Sequence, residues 1–256
     1  MENYTVSGCI VTHNNMSSID DTLRSLFEYT KDVSFKLYVV DNLSTDGTPE
    51  FIRQNYPQVE LILPGTNNGF GSGHNEVLEQ LTSKYHAIIN PDIIINSDIL
   101  KVMADKMDED ETAGMLSPRI RFPDGKPQIL GKRMPKLKYL IASRLRRADE
   151  PSKLLREYAM LDKNQDEEFP VEVATGCFMF IRTELFKKIG GFDDRYFMYF
   201  EDFDLSCEVN RISKVLYFPK ACVYHVWGRE SKRSTRLKIV QIKSMLKFYM
   251  KWALKK

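Results

Sequence analysis

The sequence predicts an α/β protein with a mostly parallel sheet that helices cover on both faces. Strand-like and helix-like segments alternate through the first half of the chain, as parallel sheets require. The strand-like segments are almost continuously apolar, which is typical of strands buried on both faces. Polar clusters follow three of them, at residues 12–14, 41–42 and 90–92. Because ligands of such sheets bind beyond the carboxyl ends of strands, these clusters are expected to form one crevice.

The elements of the first half are expected in strand–helix order. The apolar run at 6–12 predicts the first strand, and Ser17 or Ser18 begins a helix with one apolar face. Thr48 followed by Pro49 begins a second helix in the manner of an N-cap before proline. The other expected strands are 35–40, 59–63 and 86–90, and the other expected helices are 76–81 and 98–107.

The second half of the chain is less regular. Residues 126–168 are rich in charged side chains and have few strand signals, so we expect a long excursion or a helical insert there. Gly190 and Gly191 close a short helix that begins at Thr183. The remaining expected elements are strands at 172–181, 216–218 and 222–226, and a helix from Glu201 to about Ile212.

Composition and cysteine usage restrict the class of protein. Apolar residues make up 43% and charged residues 28% of the 256, which argues against disorder and against a multi-spanning membrane protein. No run approaches the roughly 20 apolar residues of a membrane span, and the apolar stretch after Glu2 is too short for a signal peptide. The four cysteines form no C-x-x-C pair, so we expect reduced thiols and a cytoplasmic location. A net charge of +2 gives no indication of nucleic-acid binding.

Two of the polar clusters carry a carboxylate directly after an expected strand. Asp92, after Asn90 and Pro91, could hold a divalent cation on a diphosphate, because Mg²⁺ combines a few carboxylates with substrate phosphates. Asp41 could accept a hydrogen bond from a ribose hydroxyl or a base N–H. Taken alone, each motif favours the plainer alternative of a turn that the aspartate caps.

The segment 67–73 contains three glycines before an expected helix. It does not match G-x-G-x-x-G, because His74 occupies the position of the third glycine. Backbone N–H groups beside glycine can approach a ligand closely, and a purely structural turn explains the pattern equally well.

The most unusual stretch places Glu201, Asp202 and Asp204 directly after a run of aromatic residues. Carboxylates at the start of a helix complement its dipole, which is a structural explanation. Alternatively, Asp202 is a general base whose pKa the dipole lowers and burial raises. His225, at the end of an apolar strand, is either structural or a metal ligand alongside Asp92.

The C-terminal segment is basic. Residues 232–256 contain nine Lys or Arg and no acid. Residues 1–231 therefore contain 28 of the 37 basic residues and all 35 acidic ones, so this part of the chain is mildly acidic. Four lysines recur every four residues along one side of an expected helix: Lys243, Lys247, Lys251 and Lys255. A basic amphipathic helix suits an anionic membrane surface, and the alternative is a helix docked on its own domain or on a dimer partner.

Taken together and in this order, the motifs resemble family 2 glycosyltransferases over about residues 5–230. The Asn-Pro-Asp and Phe-Met-Tyr-Phe-Glu-Asp versions look most like bacterial rhamnosyltransferases. The segments that carry the resemblance are Ile10-Val-Thr-His-Asn14, Val39-Val-Asp-Asn42 with Ser44, Asp46 and Gly47, Asn68-Gly-Phe-Gly71, Asn90-Pro-Asp92, Gly176-Cys-Phe-Met179, Gly190-Gly-Phe-Asp193 and Phe197-Met-Tyr-Phe-Glu-Asp202 with Asp204 and Leu205.

The resemblance implies a glycosyltransferase A-type fold and sugar transfer with inversion by direct displacement. It implies that Asp202 deprotonates the acceptor hydroxyl and that Glu201 contacts the acceptor or supports the base. It also implies a divalent metal, Mg²⁺ or Mn²⁺, bound to the donor diphosphate by Asp92, with His225 as a further metal or phosphate contact. The nucleotide-sugar contacts that it implies are Thr12, Asn14, Asp41, Asn68, Gly69, Gly71, His74, Asn75 and Asn90.

Two departures from the family pattern matter. Many relatives carry Asp-x-Asp where this chain has Asn90-Pro91-Asp92, and one carboxylate gives a weaker metal site. His74 replaces the Asn or Arg more usual at its position, which puts a phosphate contact by that side chain in doubt.

From this resemblance we expect an inverting transferase that moves L-rhamnose from dTDP-rhamnose to an acceptor hydroxyl in bacterial cell-surface polysaccharide synthesis. The alternatives are a family 2 transferase with a UDP-hexose donor and a non-catalytic nucleotide-sugar-binding scaffold. The intact Asp92, Glu201 and Asp202 argue against the scaffold.

The expected organisation follows from the same comparison of motifs. One catalytic domain at 1–231 comprises a nucleotide-sugar-binding half at about 1–115 and an acceptor-binding half at 116–231, and the basic helix at 232–256 follows it. The expected partners are the donor, a saccharide acceptor that the basic helix suggests is lipid-linked, an anionic membrane surface and a second copy in a homodimer. The expected location is the cytoplasm, at the inner face of the plasma membrane.

Overall fold

The computed structural model describes residues 4–144, 151–226 and 235–253, and the ends of the basic segment lie outside these ranges. The strands are β1 (Val6–Thr12), β2 (Phe35–Asp41), β3 (Glu60–Ile62), β4 (Tyr85–Ile89), β5 (Ile93–Ile94), β6 (Ala113–Arg121), β7 (Phe169–Pro170), β8 (Phe178–Arg182) and β9 (Lys214–His225). They form one mixed sheet in the order β3-β2-β1-β4-β8-β6-β9-β5, and β7 pairs with β9. The expected α/β sheet is confirmed.

The helices cover both faces of this sheet. They are α1 (Ile19–Tyr29), α2 (Thr48–Asn55), α3 (Phe70–Asn75), α4 (Ile99–Glu109), α5 (Leu137–Arg144), α6 (Lys153–Tyr158), α7 (Thr183–Ile189), α8 (Glu201–Asn210) and α9 (Thr235–Ala253). Apolar side chains of α1, α2 and α4 form one core with the sheet, and those of α7 and α8 form a second core on the other face.

Strand direction brings many polar segments to one edge. Strands β1 to β4 are parallel, and β8 runs antiparallel to both β4 and β6. Strand β6 therefore runs in the direction of β4, and β9 is parallel to β6. The carboxyl ends of β1, β2, β4, β6 and β9 and the start of β8 consequently share one edge of the sheet, which we call the carboxyl edge.

Several expected boundaries were wrong for identifiable reasons. The strand expected at 172–181 is formed only over Phe178–Arg182, because residues 174–177 leave the sheet to meet α8. The α-helix expected at 76–81 is wrong: the helix of this segment is Phe70–Asn75, and only a short 3-10 turn, Leu78–Gln80, lies in the expected range. The two late strands are one strand, β9, which passes Pro219 with a shift of register typical of a β-bulge.

Strand β6 was absent from the expected elements. Its sequence includes Gly114 and Pro118, two residues that disfavour strand interiors. The structure accommodates Pro118 at a register shift, where the ladder is already interrupted. The charged segment 126–168 contains the helices α5 and α6, in keeping with the expected helical insert.

Candidate active site at the carboxyl edge

The strained loop before α8 positions two acidic side chains. Tyr199 and Phe200 have φ of 69° and 71°, a left-handed conformation that bulky residues rarely adopt. The loop is held from two sides: Phe70 donates its N–H to the Phe197 carbonyl (3.0 Å), and the Ser244 hydroxyl donates to the Met198 carbonyl (2.8 Å). Helix α8 then begins at Glu201, so Glu201 and Asp202 lie in its first turn.

Asp202 is partly exposed at the carboxyl edge and is held there by backbone donors. Its Oδ2 accepts the Gly176 N–H at 2.9 Å, and its Oδ1 accepts the Phe203 N–H at 2.9 Å. Burial raises the pKa of Asp202 to about 6, while these backbone hydrogen bonds act to lower it. A carboxylate with a pKa just below neutrality is suited to accept a proton from a bound hydroxyl.

Glu201 lies deeper than Asp202. Its side chain is buried, and among the described residues its Oε2 has no hydrogen-bond partner. Burial, together with the neighbouring charge of Asp202, raises the pKa of Glu201 well above its ordinary range. A glutamate that retains its proton can donate a hydrogen bond, and this difference favours Asp202 as the proton acceptor of the pair.

The ends of β1 and β2 bring Thr12 and Asp41 together. The two residues are register partners, and the Thr12 hydroxyl donates to Asp41 Oδ2 at 2.8 Å. The other Asp41 oxygen accepts the Ser44 N–H at 2.8 Å, as in a capped turn. Asn14, with φ of 59°, accepts the Thr45 N–H at 2.8 Å and closes the same loops. These residues line one end of the carboxyl edge, and a nucleoside contact by them remains a prediction.

Asp92 and His225 meet although 133 positions separate them. Asp92 Oδ1 lies 3.3 Å from His225 Nε2, and the other ring nitrogen lies 3.1 Å from Gln128 Oε1. Burial opposes a charged ring, but the contacts of His225 with Cys177 and Asp92 raise the pKa of His225 above its ordinary value. Asn90 contributes backbone bonds here, its N–H donating to the Cys177 carbonyl at 2.9 Å.

This pair can supply only part of a metal site. Among the described residues no group of three or more His, Cys, Asp or Glu side chains is arranged to hold an ion. The Asp92 carboxylate nevertheless suits a divalent cation that takes its remaining ligands from phosphate oxygens and water, and His225 can join it only as a neutral imidazole, after Nε2 loses its proton. Asp92 and His225 therefore fit a cation that a bound diphosphate helps to hold.

The glycines of the 67–73 segment allow neighbouring backbone and side chains to pack closely against it. A Cβ on Gly69, whose φ is 93°, would lie 1.9 Å from the Phe197 carbonyl oxygen. A Cβ on Gly71 would lie 2.8 Å from Phe192 Cβ, and one on Gly73 would lie 2.8 Å from Val11. These contacts dock α3 against the sheet and against the loop before α8, so the structural explanation accounts for all three glycines.

The three polar side chains expected to lie near the donor in this segment differ in exposure. His74 is fully buried between the Phe70 and Phe192 rings, and burial lowers the pKa of its imidazole well below the ordinary value. Asn75 donates to the Phe192 carbonyl and to Asp194 and accepts the Phe192 N–H, each at 2.8 Å. Both side chains therefore face the protein, whereas Asn68 is exposed.

Helix α9 docks on α8 and on Asp193 through Lys251, a role that the sequence did not indicate. Lys251 Nζ lies 3.0 Å from Asp193, 2.6 Å from Asp204 and 3.1 Å from Glu208. Trp252 also donates to Asp204, at 2.8 Å. Asp204 thus holds α9 in place, and part of the expected lysine stripe lies on the docked face of the helix. Lys255, the last lysine of the stripe, lies outside the described residues.

Comparison with known proteins identifies the family of the chain. The model of glycosyl transferase family 2 matches residues 7–190. N-acetylglucosaminyl-diphospho-decaprenol L-rhamnosyltransferase of Mycobacterium tuberculosis is 31% identical over 199 residues, which cover 73% of this chain and 65% of that relative. Rhamnosyltransferase WbbL of Escherichia coli is 27% identical over 222 residues, covering 83% of this chain and 79% of that one.

The fold is shared with solved glycosyltransferases. A mannosyltransferase from Pyrobaculum calidifontis, solved with GDP-Man and Mn²⁺, has a TM-score of 0.66 and 18% identity. The match covers 100% of this chain and 66% of that chain. The expected glycosyltransferase A-type fold is confirmed.

Proposed function

The chain belongs to glycosyl transferase family 2, and from that premise we propose that it transfers a sugar from a nucleotide-sugar donor to an acceptor hydroxyl. The observation that carries the proposal is the placement of Asp202. It is partly exposed, held by the Gly176 N–H, and lies at the same edge of the sheet as Asp41 and Asp92. Nucleotide, diphosphate and acceptor groups can therefore be bound side by side.

In the proposed reaction Asp202 accepts the proton of the acceptor hydroxyl. The hydroxyl oxygen forms a bond to the anomeric carbon of the donor while the bond from that carbon to the diphosphate oxygen breaks. The nucleoside diphosphate leaves with the electron pair of the broken bond. A single displacement of this kind inverts the anomeric configuration and needs no covalent intermediate with the enzyme. Glu201, which retains its proton, contacts the acceptor or supports the base.

We propose L-rhamnose as the transferred sugar and dTDP-rhamnose as its donor. The proposal is supported by relatives from two bacteria whose names specify rhamnosyl transfer. In this assignment the half at about 1–115 binds the nucleotide sugar, with Thr12, Asn14 and Asp41 at the nucleoside. The alternative is a UDP-hexose donor, and comparing the binding of dTDP-rhamnose with that of UDP-hexoses distinguishes the two.

A divalent cation, Mg²⁺ or Mn²⁺, fits beside Asp92 and His225. When bound, it would neutralise charge on the departing diphosphate. The chain contributes the Asp92 carboxylate and orients His225 through Gln128, whose Nε2 donates to the His225 carbonyl at 2.6 Å. Replacing Asp92 with Asn should therefore weaken the enhancement of donor binding by metal.

The acceptor is proposed to be a saccharide on a lipid diphosphate in cell-surface polysaccharide synthesis. The name of the mycobacterial relative specifies such an acceptor. Within the described ranges no helix has the length and apolar character needed to cross a membrane. A lipid-linked acceptor lies at a bilayer, so we propose that a surface of the protein contacts the bilayer.

Helix α9 offers such a surface on its undocked side. Four exposed apolar side chains form a stripe along it, Ile239, Ile242, Leu246 and Met250. The exposed Lys238 and Lys243 flank the stripe, and α9 contains no acidic residue. Apolar side chains bordered by lysines suit an anionic bilayer surface.

Vesicle binding tests this surface. Leu246→Asp should reduce sedimentation with phosphatidylglycerol vesicles, because it places a negative charge in the apolar stripe. Val102→Asp is the matched control, since Val102 is exposed on α4. Unchanged vesicle binding by Leu246→Asp would contradict membrane binding by α9. Dissociation of a homodimer by Leu246→Asp, without a loss of vesicle binding, would also contradict it.

Replacing Asp202 with Asn tests the proposed function itself. Loss of a general base lowers the rate of transfer by about 10²- to 10⁴-fold. The assay would follow transfer from dTDP-rhamnose to N-acetylglucosamine on a short prenyl diphosphate. Asp162→Asn, at an exposed site, is the control. Wild-type turnover by Asp202→Asn would refute the assignment of the base.

A further inference from the structure

A cavity of about 430 Å³ lies beside the carboxyl end of β6. Its walls come from β6, residues 127–132, α6 and residues 171–175. Four basic side chains line it, Arg119, Arg121, Lys132 and Arg156, and Asp166 is the one acid among its lining residues. The Asp166 side chain is 82% exposed, so solvent screens much of its charge.

The positive charge in this cavity is incompletely compensated by the protein. Lys132 Nζ donates to the Ala159 carbonyl (3.4 Å) and to Gln165 Oε1 (3.2 Å) and lies 4.5 Å from the centre of the Tyr217 ring. Within the described part of the chain, both hydrogen-bond partners of Lys132 Nζ are thus neutral oxygens, one of a carbonyl and one of a side-chain amide. Arg119 pairs with Asp166, but its buried Nε has no partner among the described residues. The side chains of Arg119 and Lys132 are partly buried, and cationic groups that lose water without gaining a carboxylate partner are stabilised when an anion joins them.

The position of the cavity places it on the acceptor side of the crevice. Thr175 lines the cavity and precedes Gly176, whose N–H holds Asp202. Strand β6 lies three positions from β1 in the sheet, which at about 4.8 Å per strand is roughly 14 Å from the nucleoside end. A general base lies beside the acceptor hydroxyl, on the side away from the anomeric carbon that the hydroxyl oxygen attacks. A cavity beyond that base is therefore open to the rest of the acceptor.

We propose that this cavity binds the phosphate or diphosphate group of the acceptor. Arg119, Arg121 and Arg156 supply N–H donors with the planar geometry that phosphate oxygens accept, and Lys132 supplies a further ammonium donor. The assignment of this anion to an acceptor rests on the proposed function. The binding of a phosphate group at this position does not depend on it.

Calorimetric titration with inorganic pyrophosphate in EDTA tests the cavity alone. Arg121→Gln and Lys132→Met should each weaken binding about tenfold or more, because a hydrogen bond to a charged group is lost. Arg53→Gln, at an exposed position on α2, should bind as the wild type does. Wild-type affinity in both cavity variants would overturn the proposal. Pyrophosphate that competes with dTDP would also overturn it, because the anion would then occupy the donor site.

Acceptor kinetics separate this proposal from the proposed function. The two probes are N-acetylglucosamine on a short prenyl diphosphate and its neutral octyl glycoside, each with dTDP-rhamnose. Arg121→Gln should raise KM for the diphosphate acceptor at least tenfold more than KM for the neutral one. Equal changes for both acceptors would overturn a phosphate-binding role. If the wild-type protein transfers no sugar to either, the proposed function fails, and the pyrophosphate titration still decides the cavity.

Discussion

Replacing Lys251 with methionine removes the cation that lies among Asp193, Asp204 and Glu208. The Lys251 side chain is 11% exposed and that of Asp204 is 3% exposed, so this is a buried ion pair. Removing one partner of such a pair costs about 3–5 kcal/mol, because the other charge stays buried. Asp204 keeps its hydrogen bond from Trp252, which places the expected loss near the lower end, at about 3 kcal/mol. For a protein of this size that is a fall in Tm of roughly 6–12 °C.

The pH dependence of this loss has a definite sign. Burial already raises the pKa of Asp204, and its contacts with Lys251 act to lower it. Without Lys251 the pKa of Asp204 rises further. At neutral pH the folded variant is therefore less stable, because Asp204 either stays charged without its cation or binds a proton. The stability deficit of Lys251→Met should shrink as the pH falls, because protonated Asp204 no longer needs the cation.

Urea unfolding of the full chain at pH 7 and at acidic pH measures both effects. Lys243→Met is the matched control, since Lys243 is exposed on the same helix and its loss should change stability by less than about 0.5 kcal/mol. Equal stability of Lys251→Met and Lys243→Met at pH 7 would refute the argument. A deficit that grows as the pH falls would also refute it.

Three further predictions concern the residues around the proposed base. The rate of transfer should fall as the pH drops through about 6, because the raised pKa of Asp202 leaves most of it protonated below that pH; a flat pH–rate profile between pH 5 and 7 would contradict the assignment. Gly69→Ala should abolish transfer and should destabilise the fold by more than Gly65→Ala does. A Cβ on Gly69 would lie 1.9 Å from a carbonyl oxygen, whereas a Cβ on Gly65 meets nothing within 4 Å. Equal unfolding midpoints of the two variants would contradict the packing argument. Asn75→Ala should lose about 2–3 kcal/mol in urea unfolding through its three hydrogen bonds; a raised donor KM without loss of stability would show a donor contact in place of the structural one.

The sequence predicted the structure well where short-range signals, such as a helix-ending glycine, determine the conformation. The helix at Thr183–Ile189 was expected with the bounds that the structure has, because Gly190 adopts the left-handed conformation that ends helices. The approach of Thr12 to Asp41 followed from parallel pairing of two strands that end in polar residues. The meeting of Asp92 and His225 was expected from the family resemblance and from the chemistry of both side chains.

The sequence was uninformative where distant segments pack against each other. Lys251 lies 47 positions from Asp204, and a regular lysine spacing does not reveal which lysine faces inward. His74 looked available for a ligand because its burial depends on Phe192, which is distant in sequence. Gln128 lies in a segment without regular structure, and nothing in the local sequence indicates that it orients His225.

Calorimetric titration of the full chain with sugar nucleotides tests the central claim most directly. The panel would contain dTDP, dTDP-rhamnose, UDP-glucose and UDP-galactose, each with and without Mg²⁺ or Mn²⁺. The account predicts one site that binds dTDP-rhamnose and a higher affinity when the metal is present. Preference for a UDP-sugar would overturn the donor, and absence of binding by every member of the panel would contradict a sugar-transfer function for this chain.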